Sequence, residues 1–265
     1  MDWIEVNGTT LRYELAGTGA ETLLLVHEAG GAIESWDETL PAFQRHFRTL
    51  RYDQRGFGQS EKVPGKLELD DMIADIAGLL DGWAITTPCH VAGSAMGAGI
   101  AAAFTARHPA RVSRLVVQSL VTRANENFRS QMLERAAAIE RDGMRAHVGP
   151  SLDRSYPALL RANRARFERY RMRWIANDPQ SYAAINRMGL GLQLDGEIGR
   201  IACPTLVIGC VHDPLRPPEM VKALAQKIPH ARYVEADSGH FMHVQSPELF
   251  TQLAIPFLLG QAPDA

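Results

Sequence analysis

Apolar positions in this chain follow two rhythms. Short unbroken runs recur at Thr22–His27, Thr49–Tyr52, His90–Gly93, Leu115–Val117 and Thr205–Gly209, with a weaker one at Ala231–Glu235. Runs of this length without polar alternation suit strands buried on both faces of a sheet. Between them the spacing changes to that of helices. Leu69, Met72, Ile73, Ile76, Leu79 and Leu80 make one face of a helix over Leu69–Trp83. Pro218–Ile228 and Pro247–Leu259 look alike, each with proline near its start, where a missing N–H costs nothing. At the N-terminus, Trp3–Val6 and Thr10–Leu15 flank Asn7-Gly8, a pair suited to the positive φ angles of a two-residue hairpin turn. Strands alternating with helices predict an α/β fold, a mostly parallel central sheet flanked by helices.

The stretch from Arg123 to about Glu197 breaks this alternation. It has no strand-like run, and Arg161, Arg164, Arg166, Arg169, Arg171 and Arg173 crowd into one segment. It is predicted to be a helical cap, residues 123–197, inserted into a core formed by 1–122 and 198–265. The arginines read most simply as a solvated helix face. A sharper reading has one or two of them clamp a substrate carboxylate.

Composition narrows the function classes. With 265 residues, 46% hydrophobic and 22% charged, the chain can bury a sizeable core. A formal net charge of -2 argues against a nucleic-acid or membrane-surface partner. Cys89, Cys203 and Cys210 are an odd set without metal-ligand spacing, so a reducing compartment is expected and no disulfide framework. The start Met1-Asp2-Trp3 lacks a basic stretch followed by an apolar run, and a cytoplasmic location is expected. The oligomeric state, monomer or homodimer, stays open.

Chemistry concentrates at Gly93-Ser94-Ala95-Met96-Gly97. It follows a strand run and opens a stretch rich in small residues. A nucleophile elbow has this context and the pattern G-x-S-x-G, with the middle residue displayed at the top of the sheet. Here the middle residue is Ala95.

Several further segments carry a resemblance to the α/β-hydrolase family over nearly the whole chain. They are Val26-His27-Glu28-Ala29-Gly30-Gly31, Tyr52 through Ser60 (YDQRGFGQS), His108 through Val112 (HPARV), Gly209 through Pro214 (GCVHDP) and Ser238-Gly239-His240-Phe241. The Asp-Gln-Arg-Gly-Phe-Gly run, together with Gly143-Met144, Asn177-Asp178-Pro179 and Tyr182 in the cap, is more narrowly similar to 3-oxoadipate enol-lactonases and related small esterases.

The resemblance implies a serine-type hydrolase of a small ester or lactone, with a small-molecule substrate and no cofactor or metal. It puts the orienting acid at Asp213, the base at His240 and the nucleophile position at Ala95. The backbone amides of Ala29 and Met96 would form the oxyanion hole. Glu28 departs from the family, whose loop normally has glycine there. Glu28 and Ser94 are therefore candidate substrate contacts, although a local salt bridge is the preferred reading for Glu28. Ser94, just before the elbow tip, normally points away from the site. His243 is expected to be a surface or packing histidine. Asp53 and Arg55 are expected to stabilise a loop, and Asp237 is the rival to Asp213.

Gly-Ser-Ser-Met-Gly is one substitution away, so Ala95 reads first as an edit that inactivates a serine hydrolase. Amide or carbon–carbon bond hydrolysis on the same triad is a close alternative. A further one is a protein naturally without a nucleophile, binding a ligand or using His240 and Asp213 non-covalently.

Overall fold

The computed structural model describes residues 1–63, 65–124, 127 and 129–261. Eight strands form one sheet: β1 (Asp2–Val6), β2 (Thr9–Ala16), β3 (Thr22–Val26), β4 (Arg48–Tyr52), β5 (Cys89–Ser94), β6 (Val112–Gln118), β7 (Thr205–Cys210) and β8 (Ala231–Ala236). Their order is β1-β2-β4-β3-β5-β6-β7-β8. The first two pairings, β1 with β2 and β2 with β4, are antiparallel, and every later pairing is parallel. Val6 pairs with Thr9, which leaves Asn7 (φ 49°) and Gly8 (φ 68°) as the predicted two-residue turn.

The helices are α1 (Leu40–Phe43), α2 (Leu69–Gly82), α3 (Met96–Arg107), α4 (Arg129–Asp142), α5 (Met144–Ser155), α6 (Arg164–Ile175), α7 (Pro179–Gly191), α8 (Pro218–Ala225), α9 (Met242–Gln245) and α10 (Pro247–Leu258). One apolar layer joins Leu24, Val26, Val91 and Val117 to α2 and α3. The other joins Leu23, Leu25, Ala92, Val116 and Ile208 to α1 and α10. Successive strand residues point to opposite faces. The unbroken apolar runs are thus the signature of a sheet covered on both sides.

Helices α4 to α7 lie between β6 and β7 and pack over one end of the sheet. Asn163 caps α6 by accepting from the Arg166 amide, and Asp178 caps α7 by accepting from the Ser181 amide. The arginine segment is less solvated than its composition suggested. Arg166 reaches Glu38 (2.5 Å), Glu248 (3.3 Å) and the Gln245 carbonyl (3.3 Å), and Arg169 reaches Glu38 (2.9 Å). Arg161 pairs with Asp153, and Arg171 with Glu168. Cationic side chains of α6 therefore fasten the cap to the core.

Candidate active site

The predicted site residues gather at the carboxyl ends of the parallel strands, the edge where open α/β sheets place their sites. Residues 27–31 follow β3, Ala95 follows β5, Asp213 lies in the turn after β7, and His240 lies in the loop after β8.

Ala95 adopts φ 50°, ψ -114°. A side chain at positive φ is strained, typically by about 1–3 kcal/mol. The surroundings compel it. Ala95 N–H donates to the Gln118 carbonyl (2.9 Å), and Gly99 N–H donates to the Ala95 carbonyl (3.2 Å). A side chain at Gly97 would collide with the His27 carbonyl, and one at Gly93 with the Gly97 carbonyl (2.6 Å). The two elbow glycines are required because strand, turn and helix touch backbone to backbone. Met96 is the first residue of α3, so its N–H is one of the donors a helix start leaves unused.

His240 Nδ1 lies 2.8 Å from Asp213 Oδ2. The same Oδ2 accepts from Ser119 Oγ (2.6 Å), and Oδ1 accepts from the amides of Leu215 and Arg216 (3.0 Å each). Burial alone would raise the Asp213 carboxyl. Its electrostatic interaction and hydrogen bond with His240, with the Ser119 hydroxyl and the Arg216 amide, overcome it and hold the group below its ordinary value. The carboxylate therefore stays ionised and fixes the imidazole with Nδ1 as donor, leaving Nε2 available as a base. Asp237 is not placed to compete: its side chain is 85% exposed and pairs with His212 at 2.7 Å.

Four placements depart from the reading of the sequence or go beyond it. Ser94 is fully buried and donates to Gln118 Oε1 (2.7 Å), so it is no substrate contact. Glu28 is also fully buried, engaged in the salt bridge preferred for it over a substrate contact, with a partner the sequence did not indicate. Its Oε2 lies 2.9 Å from His243 Nε2, and its Oε1 accepts from Ser35 Oγ (2.9 Å). His243, expected at the surface or in simple packing, is wholly buried as that ion-pair partner. Gln118 and Ser119 were missed. Gln118 Nε2 donates to the His240 carbonyl (3.0 Å) and to Ser119 Oγ, while Ser119 sits at φ 50° beside the acid. A polar pair closing an otherwise apolar strand run is the signal that could have found them.

Asp53 accepts from the amides of Ile33 (2.7 Å) and Gln59 (2.8 Å) and pairs with Arg12; Arg55 pairs with Asp75 (2.5 Å). Both hold loops. Trp174 and Tyr182 of the cap pack against Gly30, and Tyr170 lies against Phe241 with ring centroids 5.3 Å apart. The cap thus closes over both the residue 27–31 loop and the base loop.

An open cleft of 680 Å³, lined in part by Leu67, Arg107, Glu140, Arg187 and Met188, contains neither Ala95, Asp213 nor His240. Its arginines are already paired, Arg107 with Glu197 (2.8 Å) and Arg187 with Glu140 (2.5 Å). Among the described residues no group of three or more His, Cys, Asp or Glu is placed to hold a metal ion. None of the described helices is long and apolar enough to cross a membrane.

The sequence pattern of the alpha/beta hydrolase fold matches residues 21–247. The chain belongs to that family. It is 29% identical to the RutD protein of Caulobacter segnis, named for carbamate hydrolysis, over 94% of this chain and 96% of that one. It is 25% identical to pyrrolizixenacetamide deacetylase of Xenorhabdus hominickii, over 98% and 99%. In structure it is similar to an enol-lactonase from Burkholderia xenovorans, with a TM-score of 0.93, 29% identity and coverage of 97% and 100%. These relatives carry the names of a carbamate hydrolase, a deacetylase and an enol-lactonase, so the comparisons support hydrolase chemistry and leave the bond open.

Proposed function

We propose that this α/β-hydrolase frame is built to hydrolyse a small ester or lactone through an acyl-enzyme, and that the chain as it stands lacks only the attacking oxygen. The observation that carries this reading is the pairing of His240 with a triply anchored Asp213, beside an elbow that keeps its strained φ on an alanine. With serine at position 95, the hydroxyl would attack the acyl carbonyl while His240 Nε2 takes its proton. The amides of Ala29 and Met96 would bind the oxyanion, each such donor contributing about 2.7–4 kcal/mol. His240 would return the proton to the leaving alkoxide and then activate a water that releases the acid. The same steps serve an amide or carbamate: an amine, or the alcohol of a carbamate ester, then leaves first, and water releases the carboxylic or carbamic acid from the enzyme.

A second reading rests on Ala95 itself, namely that the chain binds its ligand without covalent chemistry. The Ala95→Ser protein separates the two. It should hydrolyse short p-nitrophenyl esters or small lactones and react with a fluorophosphonate. If it does neither, the hydrolase reading falls and the binding reading stands.

A further inference from the structure

A carboxylate is buried next to the amide expected to stabilise an oxyanion. Glu28 immediately precedes Ala29, and its carboxylate is curled inside the loop: a side chain at Gly31 would meet Glu28 Cδ and Oε1 at 2.5 Å. The group cannot swing out, because Ser35 holds one oxygen and His243 the other. An ionised carboxylate there opposes the negative charge that develops on the substrate oxygen during acyl transfer. Something must balance it.

His27 cannot. Its Nε2 accepts from the Gln54 amide (3.0 Å), so its proton is on Nδ1, donated to the Glu28 carbonyl (2.7 Å). Burial lowers its affinity for a second proton, and it is neutral. Tyr170, buried nearby, is held in its neutral form by burial and by the Glu28 charge. That leaves His243. Its Nε2–H faces the carboxylate, and its ring lies against Trp36 with centroids 4.4 Å apart, a surface that favours a cation. Burial would raise the Glu28 carboxyl, yet the charge and hydrogen bond of His243 bring it down to about 2. His243 also stands on α9, three residues past His240, so the pair ties the loop after β3 to the base loop.

We propose that His243 is the counter-charge that makes Glu28 tolerable beside the Ala29 amide, and is through Glu28 a positioning residue for acyl hydrolysis. This rests on the hydrolase reading above. It separates charge balance from mere bracing, because the two respond differently to glutamine. His243→Gln keeps a donor for Glu28 and drops the charge. Glu28→Gln with His243→Gln keeps the loop filled and restores neutrality.

The test uses two variants in the Ala95→Ser protein, assayed with p-nitrophenyl acetate, their folding checked by circular dichroism. His243→Gln should lower kcat at least 30-fold with KM within threefold of the parent. The Glu28→Gln/His243→Gln double variant should recover kcat to within fivefold. A double variant as slow as His243→Gln, or slower, overturns the proposal. If His243→Gln does not fold, the double variant alone decides on the same criterion. A second readout needs no turnover. In the chain carrying Ala95, the Ala29 amide proton is followed by NMR, and Glu28→Gln and His243→Gln should shift it in opposite directions. Shifts in the same direction, or none, overturn the proposal. Opposite shifts together with an inactive Ala95→Ser protein would leave the charge balance standing and sink only the hydrolase reading.

Discussion

Replacing His243 with alanine gives a stability prediction whose size and sign both follow from the buried pair. With its partner present, Glu28 is held from its ordinary 4.5 down to about 2. At about 1.36 kcal/mol per pH unit, that depression is worth roughly 3 kcal/mol of folded-state stability. The folded value lies below the unfolded one, so this contribution is complete above about pH 4.5 and is lost as pH falls through about 2. His243→Ala removes the cation and leaves burial to dominate. The folded value of Glu28 then rises above 4.5, and the sign reverses: the carboxyl destabilises the fold at neutral pH and ceases to do so once protonated. Breaking one side of a buried pair typically costs about 3–5 kcal/mol, a large share of the roughly 5–15 kcal/mol that a domain has. Urea unfolding at pH 7, 6 and 5 should show a deficit of about 3–5 kcal/mol at pH 7 that becomes smaller toward pH 5. The lost packing against Trp36 and Phe250 is independent of pH and should be what remains. Adding Glu28→Gln should flatten the pH dependence. A deficit below about 1 kcal/mol at pH 7, or one unchanged by pH, would refute this account.

Three other expectations follow from the site and its supports. Gly97→Ala drives a methyl into the His27 carbonyl, and because the obstacle is backbone, the melting temperature should drop by the equivalent of about 1–3 kcal/mol or more; an unchanged melting temperature would show that α3 can slide. Ser119→Ala removes one of the donors to the ionised Asp213, a bond to a charged group being worth about 1.5–3 kcal/mol. In the Ala95→Ser background it should cut kcat about tenfold or more while KM stays nearly constant, and equal losses in both would contradict a role on the acid. Arg166→Met releases Glu248 and the Gln245 carbonyl and leaves Glu38 to Arg169 alone; limited proteolysis should then cut within residues 123–197 sooner than in the parent, and 0.5 M salt should narrow that difference by accelerating the parent.

The sheet was legible because burial on both faces writes itself into unbroken apolar runs. Thr22–Val26 and Thr205–Cys210 are buried throughout. The edge strand Ala231–Ala236, half exposed along its length, produced only a weak run for the same reason. Asp213 and His240 could be read from the loops around them, since each motif is local. The partnership of Glu28 with His243 spans 215 residues, and no local pattern encodes a contact at that distance. His243 read as a surface or packing residue because the sequence shows neighbours along the chain, while its burial comes from Trp36 and Phe250 on other elements. Ser94 was ambiguous for a related reason: one residue separates the displayed side of the elbow from the buried one, and only the hydrogen bond to Gln118 decides. The arginine segment misled by composition alone, because the acids that meet it are far away in the chain, at Glu38 and Glu248.

The hydrogen bonds that hold the elbow have a consequence for what can occupy its tip. Ser94 to Gln118, Gln118 to the His240 carbonyl, Ser119 to Asp213, and the Ala95 amide to the Gln118 carbonyl use backbone groups or neighbouring side chains. None of them uses the side chain at position 95. That position is a socket whose shape is kept by its surroundings, whatever small residue fills it. An attacking oxygen can be withdrawn or returned there by a single-residue exchange, with no need to relearn the fold around it. On the proposed hydrolase reading, a chain built this way would pass between holding a substrate and consuming it in one step.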